Sequence, residues 1–131
     1  MTMVLLAMCL NMPGWACNVQ QHTPVSGRLI HAICMVESHG NTLAYSPRDA
    51  GSPSYGVCQI KMKTAIWLGF KGDEFELMKP DVNAMYAAKY LQYHMHRYRT
   101  LDEAISAYNA GHATDSNQEY VMKVKQHMGV Q

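Results

Sequence analysis

Ser26-Gly27-Arg28-Leu29-Ile30-His31-Ala32-Ile33-Cys34-Met35-Val36-Glu37-Ser38-His39-Gly40 reads as one helix, opened by a serine cap and closed by a glycine just past its end. Ile30, Ile33, Cys34 and Glu37 recur at i, i+3, i+4 and i+7 and therefore share one face. The first three are apolar, so this face turns to a core, and a carboxylic acid is out of place on it. Burial disfavours the charged form of a carboxyl, and the negative end of the helix dipole repels a carboxylate. On this reading Glu37 keeps its proton near neutral pH and is poised as a general acid. The alternative is a glutamate that swings to solvent from a frayed helix end. This helix alone does not separate the two.

Outward from this segment the chain stays helical. Residues 43–56 form a loop carrying Pro47, Gly51, Pro53 and Gly56. A short helix is expected over residues 62–68, stopped by Gly69, and residues 73–80 read as a connector. From Asp81 a longer helix runs in which, between Val82 and Tyr93, only Asn83, Lys89 and Gln92 are strongly polar. A helix apolar around most of its circumference belongs in the middle of a bundle. Thr100 and Glu103 make a capping box for the next helix, whose core face is Leu101, Ala104, Ile105 and Tyr108 and which Gly111 ends. A last helix over residues 118–128 turns Tyr120, Val121, Val124 and Met128 inward. The fold class is mainly α, with at most a short irregular β segment around residues 55–60.

The chain has 131 residues, 48% hydrophobic and 16% charged, which suits one folded domain with a modest core. Net charge is +1 and the basic residues do not cluster, which gives no footing for nucleic-acid binding. Cys9, Cys17, Cys34 and Cys58 match no zinc spacing and contain no Cys-x-x-Cys, so free thiols are expected in preference to disulfides. The apolar run 3–10, followed by Gly14 and Ala16 in a small-x-small arrangement, suggests an export signal without a positive leader. Residues 1–17 are therefore expected to be a signal peptide or N-terminal tail, and residues 18–131 the functional domain. A packed N-terminal helix of an uncleaved protein, such as a phage virion or lysis component, is the other reading.

Three segments stand out as an ordered set: Glu37-Ser38, Gly56-Val57-Cys58-Gln59-Ile60 and Ala107-Tyr108-Asn109-Ala110-Gly111. Each is weak alone. Together, with Ser46-Pro47 between the first two, the set resembles the SLT-type lytic transglycosylases, goose-lysozyme-like enzymes that cleave the glycan strands of bacterial peptidoglycan. The resemblance covers about residues 26–124 and extends to Ala65-Ile66-Trp67-Leu68-Gly69-Phe70, Pro80-Asp81-Val82-Asn83 and Tyr90-Leu91.

The resemblance implies a compact lysozyme-like helical domain and gives each matching residue a role. Glu37 takes the place of the catalytic acid, which protonates the glycosidic oxygen and then acts as base. Ser38 completes the Glu-Ser signature, and Ser46 matches a serine near the reacting sugar. Gln59 matches the glutamine of a Gly-Leu-Met-Gln motif lining the cleft. Tyr108 and Asn109 match residues that orient the acid and contact substrate, and Tyr120 matches a tyrosine late in the pattern. Cys58 stands where the family usually has Met, implying a smaller subsite wall, and the loop 48–55 is a few residues longer than the commonest form.

Ordinary glycoside hydrolysis uses two carboxylates. Here only Glu37 lies in a motif, and Asp49 is the one nearby acid. A lone acid suits substrate-assisted chemistry, and the resemblance supplies its form: the sugar's own C6 hydroxyl attacks C1, leaving a 1,6-anhydro-N-acetylmuramic acid end. Tyr108, on the core face of its helix, is expected to donate a hydrogen bond to Glu37. The competing readings are a hydrolytic muramidase using Asp49 to activate water and a non-catalytic peptidoglycan-binding assembly module. No cofactor is implied, and His94 and His96, at i, i+2 on a helix, point to different faces and make a poor metal pair. The eleven Met residues read as core filler. Tyr86, Tyr90 and Tyr93 read as packing residues, whereas Tyr45 and Tyr55 flank the cleft as sugar contacts. The expected partner is the peptidoglycan glycan strand, met by a monomer exported to the periplasm or envelope or carried by a phage virion, in the setting of secretion, conjugation or phage assembly.

Overall fold

The computed structural model describes residues 9–47 and 51–129 of the chain. Asp49 and the apolar segment before residue 9 lie outside the described residues. Among the described residues seven α-helices carry the architecture: α1 (Gly14–His22), α2 (Gly27–Ser38), α3 (Met62–Trp67), α4 (Glu74–Met78), α5 (Pro80–Arg97), α6 (Leu101–Ala110) and α7 (Gln118–His127). A small antiparallel sheet of two-residue strands, β1 (Tyr45–Ser46), β2 (Ser54–Tyr55) and β3 (Ile60–Lys61), lies between α2 and α3 in the chain. Tyr45 pairs with Tyr55 and Tyr55 with Ile60, so the segment 55–60 is two short strands joined by a turn. None of the helices among the described residues is long and apolar enough to cross a membrane.

The caps explain the helix ends. Ser26 accepts from the Leu29 amide, and α2 closes on His39 in the left-handed region (φ 57°), ahead of Gly40. Thr100 and Glu103 form the reciprocal capping box of α6, and Gly111 (φ 84°) ends that helix. The stretch 73–80 differs from the expected connector, because Asp73 accepts from the Glu76 amide and opens the short helix α4, anchored by fully buried Leu77. Residues 14–17 form the first turn of α1, which seats Ala16 and Val19 in the interior.

Helix α5 runs through the middle and packs against α1, α4 and α6, burying Ala84, Ala87, Ala88 and Leu91. Its small side chains let neighbouring helices approach closely, and Ile30, Ile33, Ile105, Val121 and Val124 fill the rest of the core. Methionine contributes less than expected. Met62, Met85 and Met128 are only half-buried and lie at the core margin, while Met95 and Met122 are exposed.

Two polar side chains of α5 are fully buried. One is Asn83, described below. The other is His94, enclosed by the rings of Tyr90, Tyr93 and Tyr98 at centroid distances of 4.5, 5.0 and 6.2 Å. Neither of its ring nitrogens has a hydrogen-bond partner among the described residues. Burial first, and the nearby Arg97 second, lower its pKa to about 4. The folded protein therefore binds the His94 proton less well than the unfolded chain does. The stability that neutral His94 contributes is complete above the unfolded value near 6.5 and is lost as the pH falls from there toward 4. Half-buried His31, also lowered by burial and by His127, acts in the same direction. We expect the melting temperature to fall by several degrees over that window, and His94→Phe to remove the larger part of the fall. A pH profile unchanged in the variant would contradict this.

Candidate active site

Glu37 is the penultimate residue of α2 and is half-buried. The helix end that carries it is fastened to the turn between β2 and β3 in two ways. The Ser38 hydroxyl donates to the Val57 carbonyl at 2.6 Å, with the Cys34 carbonyl a second acceptor at 3.2 Å. One turn before Glu37, Cys34 forms a disulfide with Cys58, and a second disulfide joins Cys9 to Cys17. The expectation of free thiols is thus corrected. Cys34 lies on the core face of α2 and Cys58 in the turn packed against it, a proximity that linear spacing does not reveal. A cross-link of this kind typically contributes about 2–4 kcal/mol. Because Cys58 is fully buried and bridged, it cannot form the smaller subsite wall inferred from its replacing Met.

The turn itself is held in an uncommon shape. Gly56 has φ 81° and Gln59 has φ 55°, the latter a left-handed conformation that costs a non-glycine residue about 1 kcal/mol. Hydrogen bonds offset that cost. The Gln59 amide and its Nε2 both donate to the Gly56 carbonyl, at 3.1 and 2.9 Å, and Ser46 Oγ donates to Gln59 Oε1 at 2.6 Å. From below, Asn83 of α5 reaches the same turn: its Oδ1 accepts from the Cys58 amide at 2.8 Å, and its Nδ2 donates to the carbonyls of Tyr55 and Leu77 at 2.8 and 2.9 Å. Gly56 is needed for space as well as for its φ, since a Cβ there would collide with the Asn83 carboxamide.

Tyr120 of α7 donates its phenol to Glu37 Oε2 at 2.8 Å. Burial, followed by the neighbouring Glu37 carboxylate, drives the Tyr120 pKa far upward, so the phenol stays protonated and remains a donor. The bond expected from Tyr108 goes elsewhere. Tyr108 is buried with its hydroxyl donating to the Cys58 carbonyl at 2.8 Å, and its ring packs on Tyr90 with centroids 5.3 Å apart. Both tyrosines sit close to Glu37, but Tyr120 orients the carboxylate and Tyr108 braces the turn. The sequence carried no sign of this exchange, because both tyrosines face inward from helices whose relative placement it does not specify.

These elements enclose an open groove of about 270 Å³. Glu37 and Gln59 line it together with Tyr108 and exposed Asn109, so four of the seven site residues expected from sequence meet in one cleft. Ser46, Ser38 and Tyr120 support it through the bonds given above. Lys61, Lys63, Thr64 and Tyr90 also line it and were missed. Tyr90, read as packing, is half-buried and serves both purposes, while Tyr86 packs on Phe70 at 5.2 Å. Tyr93 is not core but 40% exposed. Tyr45 and Tyr55 pair across β1 and β2, with ring centroids 5.3 Å apart and Tyr45 exposed.

The chain is 33% identical over 98 residues to Protein IpgF of Shigella sonnei and, equally, to Protein IpgF of Shigella flexneri. The matched stretch is 72% of this chain and 64% of either relative, so the chain spans less than two thirds of their length. Residues 17–127, which include α2 to α7 and all of α1 after Ala16, match the transglycosylase SLT domain model. With that match over most of its length, this chain belongs to the transglycosylase SLT domain family, the family of the lytic transglycosylases.

Proposed function

We propose that the chain is an active peptidoglycan lytic transglycosylase, cleaving the β-1,4 bond between N-acetylmuramic acid and N-acetylglucosamine with Glu37 as general acid and then base. The observation that carries this reading is that Glu37 is the one carboxyl group lining the groove among the described residues, held from outside by Tyr120. Glu37 gives its proton to the bridging oxygen as the bond to C1 breaks. The muramic C6 hydroxyl then attacks C1 and returns its proton to Glu37. The chain ends in a 1,6-anhydro ring, no water is consumed, and Glu37 regains its starting form. Two-carboxylate hydrolysis would need a second acid about 5–9.5 Å away. The muramidase reading would take that acid from Asp49, outside the described residues. Two disulfides support work in an oxidising compartment, the periplasm or cell envelope.

Mass spectrometry of products from purified glycan strands tests the reaction. We expect anhydro ends, lighter by one water than the hydrolytic product. Reducing ends alone would replace this reading with a muramidase, and absence of any cleavage would favour a non-catalytic wall-binding module.

A further inference from the structure

Two walls of the groove continue beyond it in the same manner. On α3, Lys63 and Thr64 line the groove, and Trp67 lies one turn further along the same face. On α5, Tyr90 lines the groove, and Tyr93 lies one turn further on. The two extensions converge, with the rings of Trp67 and Tyr93 meeting edge to face at a centroid distance of 4.8 Å and an angle of 86°. Trp67 is nevertheless 59% exposed. Arg97 lies 6.0 Å from the Tyr93 ring and adds support. An edge-on partner holds an indole rigid while leaving its face open to water, and a pyranose ring presents an apolar C–H face that fits such a surface.

Charge distinguishes the ligand. Lys61 and Lys63 both line the groove, whereas the ion pairs among the described residues use Lys79, Lys123 and Lys125. A neutral glycan offers two cleft lysines only hydroxyl and acetamido oxygens, which leave their charge unpaired. A muramyl glycan carries a carboxylate on each lactyl group or on the peptide attached to it.

We propose that the groove continues into an outer subsite in which one sugar of the strand stacks on Trp67, braced by Tyr93, while Lys63 holds a carboxylate of the same polymer. This rests on the function proposed above and adds which side chains grip the strand beyond the scissile bond, with Lys63 favouring muramyl strands over neutral N-acetylglucosamine oligomers. The test uses the full chain carrying Glu37→Gln, so that strands bind without being cut, and reads tryptophan emission as soluble purified glycan strands are added. Emission shifts to the blue, the shift persists in Trp15→Phe, and Trp67→Ala abolishes it and weakens binding about three- to tenfold. Tyr93→Ala weakens binding less, Phe75→Ala on exposed α4 does not, and Lys63→Gln narrows the preference for muramyl strands. The subsite is overturned, with the catalytic reading intact, if the wild type cleaves strands but Trp15→Phe gives no shift and Trp67→Ala binds as its parent does. Both readings fall if the wild type neither binds nor cleaves them.

Discussion

Glu37→Gln is expected to lower turnover on purified peptidoglycan by about 10²–10⁴ while leaving the melting temperature nearly unchanged. Glutamine has the shape of glutamate and can still accept the Tyr120 hydrogen bond, so the groove keeps its form. What it cannot do is give a proton to the bridging oxygen or take one from the C6 hydroxyl. Its loss should therefore appear in kcat, with little change in KM. Tyr120→Phe is the informative companion. It leaves the acid in place but frees its rotamer, and loss of one hydrogen bond to the acid, about 1 kcal/mol, predicts a fall of roughly five- to tenfold. Tyr108→Phe instead orphans the Cys58 carbonyl, so its effect should appear in thermal stability first. Release of anhydro products, followed by mass spectrometry, ranks the three variants. Equal rates for Glu37→Gln and wild type would end the enzyme reading.

Local chemistry decided how much of this was legible in the chain. Helices α2 and α6 announce themselves through Ser26, the Thr100–Glu103 box and Gly111, because caps act within four residues and need no tertiary knowledge. The five-residue α4 could not, since it buries a single apolar side chain, Leu77, and so has no periodicity to detect. Within the site, Glu37, Gln59 and Asn109 were recognisable from their motifs. The contacts that hold them were not: Tyr120 lies 83 residues from Glu37, and Cys34 lies 24 from Cys58. Such pairs depend on how α7 and the β2–β3 turn dock on α2, which is set by the shape of the whole core. Asn83 did leave a trace, as one of three strongly polar residues in an otherwise apolar stretch, but a polar residue in a helix is usually solvated.

That trace marks the second large effect. Asn83→Ala is expected to destabilise the fold by about 3–5 kcal/mol, because three backbone groups, two of them in buried contacts, lose their partner at once. The urea midpoint should fall with little change in slope. Activity should fall further than the folded fraction does, since the Cys58 amide is one residue from Gln59 and a misplacement of about 1 Å in a site can cost 10² in rate. Gly56 makes the argument sharper. Gly56→Ala alone sets a Cβ against the Asn83 carboxamide at a positive φ, so it should cost several kcal/mol. In the Asn83→Ala background the clash is gone and only the φ penalty, about 1 kcal/mol, remains. The double variant should therefore be markedly more stable than the sum of the single losses predicts. Strict additivity in urea denaturation would mean that Asn83 and Gly56 act separately, and that the turn beneath Gln59 is held by something other than this carboxamide.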